Sequence, residues 1–295
     1  MREHAVLIKG RTPLVGIVTE PDHPARDAKR PGVVLLNSGL IHRVGPNRLY
    51  VLLARRLGAM GLTTLRFDLS AIGDSPQRRD TVPFHASSIE ETMAALDFMR
   101  EQWGIQSFVL GGICTGAVVT FRTALQNPDI KALIMINAQG LIRNRSAQVE
   151  ESLSDRAGMR YYMAAALRRR GSWTRLLTGQ ADYRAIAQAC GQRLKDLLST
   201  DSVAAAPEQQ EIIEGMDRLL GDGRQILLLY SDSDAGLDEL AVIYGKEMLQ
   251  RLKRTKGISF SVIAQADHMF TALDRQEEFL DLTLGWIRTA TPSVG

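Results

Sequence analysis

The sequence predicts an α/β architecture: a mostly parallel eight-stranded sheet with helices on both faces and one helical insertion. Three observations carry that prediction. Short apolar runs at residues 33–37, 63–68, 108–111, 132–137, 226–230 and 259–263 alternate with stretches of helical periodicity. Such repeated strand and helix units imply parallel crossovers, which are right-handed and need a covering helix. Ahead of them, residues 5–9 and 14–19 flank the turn Gly10-Arg11-Thr12-Pro13, which reads as an antiparallel pair closing one sheet edge. Finally, residues 141–224 break the rhythm and hold no convincing strand.

Each helix has its own signal. Leu49, Leu52, Leu53, Leu57 and Met60 recur on one face and predict a helix over 47–60. Ile89, Met93, Leu96 and Met99 mark a second crossover helix, and 115–126 a third, directly after the strand 108–111. Inside the interruption, 155–170 and 207–220 are strongly helical. Beyond it, 237–253 covers the strand 226–230, and 276–288 closes the chain after 259–263. The expected organisation is a core of 1–140 and 225–295 with a helical cap over 141–224. No internal repeat or low-complexity tract is present.

Composition narrows the class. A chain of 295 residues sits near the size, about 250 to 300 residues, at which one core stops growing. With 45% hydrophobic and 23% charged residues it has neither a disordered nor a fibrous composition. Basic and acidic residues nearly cancel, 36 against 33, so the concentrated basic stripe that nucleic acid requires is missing. Two cysteines, Cys114 and Cys190, are too few for a disulfide framework and lack metal-site spacing, which favours a reducing compartment. The opening MREHAVLIKG lacks the apolar core of a signal peptide, and no run of about 18 apolar residues marks a membrane span. A cytoplasmic location is the expectation, and a homodimer stays open.

The chemistry is concentrated where the strand at 108–111 runs into a helix through Gly112-x-Cys114-x-Gly116. A nucleophile elbow needs this spacing: a sharp turn exposes one side chain, and glycines two residues to either side relieve the crowding. A thiol suits the place, because a helix N-terminus and a nearby imidazole both lower its pKa from about 8.5. Alone, the pentapeptide also fits a buried structural cysteine at a tight packing contact, so its context decides. In the α/β-hydrolase fold the chain order is nucleophile, acid, histidine. Here the strand 226–230 is followed by Ser231-Asp232-Ser233-Asp234, and the last strand by Ala266-Asp267-His268. Asp234 stands at the more usual offset for an acid that orients the imidazole of His268, and Asp232 is its rival. Of the other histidines, His4 and His23 lie near the N-terminal strands and His85 precedes a helix, whereas His42 lies in a loop of interest.

That loop spans 37–48 and follows the strand whose loop gives one N–H to the oxyanion hole, the other coming from the residue after the nucleophile. The assigned backbone donors are Gly39 and Thr115, and losing one such donor costs about 3 to 4 kcal/mol. Arg43 and Arg48 near the helix start are candidates for holding a substrate carboxylate or phosphate, although isolated charges of this kind often only solvate a loop, and His42 is a further substrate-binding candidate on the same loop.

The run NSGLIHRVGPNRLYVLLARRLGAMGLTTLRFDLSAIGDS, the elbow GGICTGA and the late ADHMF together resemble the α/β hydrolases associated with exosortase A systems. The likeness covers most of 33–120 and the C-terminal third, and weakens across the cap. It implies an α/β-hydrolase fold and a triad of Cys114, Asp234 and His268, with Asp68 and Asp74 at the family's strand-end and turn positions. Ser38 and the segment 69–71 depart from the family's pattern.

The cap segment carries Arg160, Arg168, Arg169, Arg170, Arg175 and Arg184 among Tyr161, Tyr162, Met163, Trp173 and Leu176. It reads either as a lid with an apolar pocket, Trp173 included, and a basic mouth for an acyl chain on coenzyme A or a carrier protein, or as a helix pair with a solvated arginine face. Cys190 reads as an ordinary helix residue. The expected activity is hydrolysis of an ester or thioester through an acyl-cysteine, with His268 as base and then acid, and with no metal or cofactor. An acyltransferase or condensing enzyme that passes the acyl group to an acceptor other than water is one alternative. A catalytically silent ligand-binding scaffold is another, since fold does not imply function.

Overall fold

The structure, a computed structural model, describes residues 1–22, 30–142 and 207–291. The antiparallel pair comes first, β1 (Arg2–Ile8) with β2 (Leu14–Glu20). Then follow β3 (Gly32–Leu36), a single 3-10 turn Pro46–Arg48, α1 (Leu49–Ala59), β4 (Thr64–Phe67), α2 (Phe84–Trp103), β5 (Phe108–Ile113), α3 (Thr115–Ala124) and β6 (Ile130–Ile136). After the undescribed segment come α4 (Pro207–Gly221), β7 (Gln225–Ser231), α5 (Ala235–Leu252), β8 (Ile258–Ile263) and α6 (Leu273–Ala290).

The strands form one eight-stranded sheet in the order β1-β2-β4-β3-β5-β6-β7-β8. β2 runs antiparallel to β4, and from β4 to β8 every pairing is parallel. This is the expected α/β-hydrolase fold. Because side chains alternate along a strand, consecutive residues of β3 serve opposite faces. Val33 and Leu35 pack with Leu49, Leu53 and Leu57 of α1 and with Phe279, Leu280 and Ile287 of α6. Val34 and Leu36 join Leu96 and Met99 of α2, Phe121 of α3 and Leu240 of α5. Each fully buried aliphatic side chain contributes about 1.5 to 3 kcal/mol of transfer free energy, so the double cover accounts for the near-continuous apolar strands.

One element differs from the sequence expectation. The helix assigned to the end of the cap, α4, covers the sheet instead: Ile212, Met216 and Leu219 are buried in the cluster that holds α3. A Cβ on Gly215 would meet Phe121 at 2.8 Å. A cap helix and a crossover helix both show one apolar stripe, so the periodicity of this segment could not tell them apart. By contacts the chain divides into two compact units, Met1–Arg143 with Glu211–Gly295, and Asn144–Gln210. The helix expected at 155–170, Trp173, the cap arginines and Cys190 lie outside the described residues. No helix among the described residues is long and apolar enough to cross a membrane.

The join from β5 to α3 is built on backbone approach. A Cβ on Gly112 would stand 2.4 Å from the carbonyl carbon of Gly116, and one on Gly116 would stand 2.5 Å from the Asn37 carbonyl oxygen at the end of β3. Neither neighbour is a flexible side chain that can give way. Gly116→Ala should therefore cost about 2 to 3 kcal/mol in urea denaturation, as overpacking of rigid neighbours does. Gly285→Ala, within α6 and facing open space, should gain about 0.5 to 1 kcal/mol from helix propensity. Equal effects of the two substitutions would contradict this account of the join.

Candidate active site

Cys114 caps the N-terminus of α3 in a backbone conformation, φ 57° and ψ −121°, that L-residues rarely adopt. Its N–H still donates to the Ile136 carbonyl at 2.9 Å, so the sheet ladder holds the strained residue in place. Strain of this kind costs about 1 to 3 kcal/mol and persists only where the surroundings over-determine it. The position is set by topology. The chain winds from β3 outward to β4 on one side and crosses to β5 on the other, and in open α/β sheets ligands bind beyond the strand ends at such a switch point. Beneath the elbow the fully buried Tyr50 accepts the Ile113 N–H at 2.9 Å. Burial holds its hydroxyl neutral, well above the ordinary tyrosine range.

The acid and the histidine arrive from β7 and β8. The Asp234 side chain is fully buried. Its Oδ1 accepts the Gly236 N–H at 2.7 Å and the Gln139 amide at 2.9 Å, while Oδ2 meets Nδ1 of His268. Asp232 points elsewhere, its Oδ2 accepting the Gln265 N–H at 2.8 Å on the surface. Of the two rivals, then, only Asp234 faces the imidazole. Burial works against a charge on His268, but its hydrogen bonds to Asp234 and Cys114 and their negative charge outweigh it, and the pKa is pushed up from 6.5 to about 10. The ring thus lies between Asp234 and the Cys114 side chain and carries a proton through the neutral range.

Sequence reasoning missed the residues that hold this geometry. Asn137, buried at the end of β6, donates to the His268 carbonyl at 2.9 Å and accepts the Ser231 N–H at 2.8 Å, tying the histidine loop to the acid strand. Asn47 donates to the Met269 carbonyl at 3.0 Å from the far side. Gln139 holds Asp234 and lies 3.3 Å from His268 Nδ1. The available signal was the polar Asn137-x-Gln139 directly after the apolar run Ala132 to Ile136 of β6.

The loop at 37–48 is anchored by charge. Asp68, with no exposed side-chain surface, accepts the Asn37 amide, the Arg43 N–H and the Asp74 N–H, and pairs with the Arg43 guanidinium. Arg43 also reaches Asp74. Its guanidinium is therefore engaged by two carboxylates inside the protein: a fully buried carboxylate needs a cation, and among the described residues Arg43 is the one paired with Asp68. His42 and Arg48 are exposed on the same loop, and Arg48 caps α1 in a left-handed conformation. Of the two expected oxyanion donors, Gly39 directs its N–H to the side-chain oxygen of Thr115 at 2.9 Å. The Thr115 N–H belongs to the first turn of α3, where no intrahelical acceptor exists.

A family model described as serine aminopeptidase, S33, matches residues 28–272. The chain belongs to this family. It is an α/β-hydrolase enzyme; the family's description names a serine enzyme, whereas the residue at the turn from β5 to α3 in this chain is Cys114. Solved structures similar to this S33 hydrolase include an alpha-beta serine hydrolase homologue from Coxiella burnetii, at 15% identity over 97% of this chain and 98% of that one, with a TM-score of 0.57. Est1E from Butyrivibrio proteoclasticus shares 12% identity over 97% and 98%, with a TM-score of 0.56. Proline iminopeptidase from Mycobacterium smegmatis shares 15% over 99% and 100%, with a TM-score of 0.59. At these identities the likeness is one of fold. A comparison with curated proteins finds no match.

The hydrogen bonds around His268 make a prediction for its titration. The folded protein binds this proton more tightly than the unfolded chain, so the interaction stabilises the S33 hydrolase fully below about pH 6.5 and is lost as pH rises through about 10. In an NMR titration the His268 ring proton should move near pH 10. Asp234→Asn should bring the midpoint back toward the ordinary value, and Asp232→Asn should leave it in place. A wild-type midpoint near 6.5, or a larger effect of Asp232→Asn, would contradict the arrangement.

Proposed function

We propose that this enzyme hydrolyses an ester or thioester through an acyl intermediate on Cys114, with His268 moving the proton and Asp234 orienting the ring. The observation that carries the reading is the line from buried Asp234 through the His268 ring to the cysteine at the elbow. The sulfur attacks the carbonyl carbon as a thiolate, an S–C bond forms, and the π pair moves onto oxygen. When the oxyanion collapses, the bond to the leaving oxygen or sulfur breaks, and His268 gives its proton to that group. Neutral His268 then takes a proton from water as the water attacks the acyl carbon. The second collapse expels the Cys114 thiolate and restores the protonated ring.

Cysteine sets the substrate class. A thiolate is a good nucleophile and a good leaving group, so its adduct with an alkyl ester tends to fall back to starting material. A thioester donor removes that handicap because both leaving groups are sulfur. The substrates this favours are acyl thioesters of coenzyme A or a carrier protein. The acyl-enzyme is itself a thioester, still energetic enough to acylate an amine or a carbon nucleophile, which supports transfer to an acceptor other than water as the second reading. The motif likeness to exosortase A-associated hydrolases is consistent with either outcome.

Cys114→Ala should lower kcat by at least about 10³-fold, as removal of a triad nucleophile does, while leaving the urea midpoint close to wild type. With one acyl group offered on both leaving groups, kcat/KM should be higher for the thioester than for the alkyl ester. Retention of more than about one per cent of activity in the alanine variant would remove the covalent mechanism. Preference for the alkyl ester would remove the thioester assignment, and turnover of aminoacyl amides alone would replace both with peptidase chemistry.

A further inference from the structure

We infer that the side-chain hydroxyl of Thr115 is a direct oxyanion donor, with the Gly39 N–H behind it as its polarising partner. The inference rests on the reading of Cys114 as the acyl nucleophile. It departs from the expectation of two backbone amides, and the departure comes from one contact: the Gly39 N–H points at Thr115 Oγ1, 2.9 Å away. An N–H has a single proton to give, so while this bond stands the Gly39 amide does not serve a substrate oxygen directly.

The hydroxyl it bonds to is equipped to do so. A threonine hydroxyl has one proton and two lone pairs. Here one lone pair is taken by Gly39, and no acceptor among the described residues receives the proton. The usual outlet for a helical threonine, a carbonyl three or four residues earlier, is missing because Thr115 is the first residue of α3 and those residues lie in β5. Thr115 follows Cys114 directly and is exposed, and the space in front of Gly39, itself at φ 56°, is open. The free O–H therefore stands beside the Thr115 N–H at the positive end of α3, where an oxyanion on an acylated Cys114 would form. A hydroxyl that accepts one hydrogen bond gives a stronger one, so the Gly39 N–H strengthens the donation instead of competing with it.

Isosteric replacement separates this role from simple occupancy of the hole. Thr115→Val keeps the shape and removes the proton; kcat for acyl turnover should fall about 10²-fold with KM little changed, the usual cost of one oxyanion donor. Thr115→Ser should stay within about threefold of wild type, since it keeps the donor that carries the effect. Alkylation of Cys114 by iodoacetamide, which forms no oxyanion, should proceed at the wild-type rate in both variants and shows that the elbow is intact. If the hydroxyl only blocks Gly39, Thr115→Val will match or exceed wild type, and the inference is overturned while the Cys114 mechanism stands. If the wild type forms no acyl-Cys114 from its substrate, the functional reading fails and the Thr115 role with it.

Discussion

The close approach of α3 to the ends of β3 and β5 is the constraint on which the site depends. Gly116 lies against the Asn37 carbonyl and Gly112 against Gly116, with no room for a methyl group on either. That contact forces Cys114 into its left-handed turn, lifts its side chain clear of the sheet and aims the first amides of α3 at the space above. The apolar layers on both faces of the sheet supply the energy that holds the strain. Val33 to Leu36 and the neighbouring β5 are fully enclosed, so the ladder bond from Cys114 to Ile136 cannot relax into solvent.

Around that turn the polar groups act as fixtures. Burying a lone carboxylate would be prohibitive, and Asp68 is tolerated because an arginine and three further donors surround it. In return it fixes the start and the middle of the loop that carries Gly39, through Asn37 and Arg43. Asn137 does the same for the loops that carry Asp234 and His268. Each fixture joins segments far apart in the chain, and so converts a loop, ordinarily the most mobile part of a fold, into a rigid mount.

That long reach explains what the sequence disclosed. Strands and helices were legible because their signal is local: Val33 to Leu36 read as buried on both faces, and Leu49, Leu53 and Leu57 as one helical stripe. The order of Cys114, Asp234 and His268 after three particular strands was legible too, because strand ends locate a residue even when its partners are unknown. Arg43 was not legible. Its pairing with Asp68 and Asp74 depends on a turn some 25 residues later, and a charged residue in a loop looks the same whether it faces substrate or a buried acid. Asp232 and Asp234, two positions apart on one loop, were separable only by side-chain direction. The helix α4 was misplaced because an amphipathic stripe says that a face is buried and not against what.

A cysteine in this frame changes what the turn delivers. Against the effect of burial, hydrogen bonds to Asp234 and Cys114 raise the pKa of His268 to about 10, and the proton so held is the one that the proposed mechanism delivers to the leaving group. The intermediate of the proposed mechanism is a thioester, and its detection is the most direct test of the account. The enzyme should be mixed with an acyl thioester, quenched in acid within one turnover, and digested for peptide mass mapping. The account predicts the acyl mass on the peptide containing Cys114, released by neutral hydroxylamine. Turnover with that peptide unmodified, or with the acyl group on a hydroxyl side chain, would contradict it.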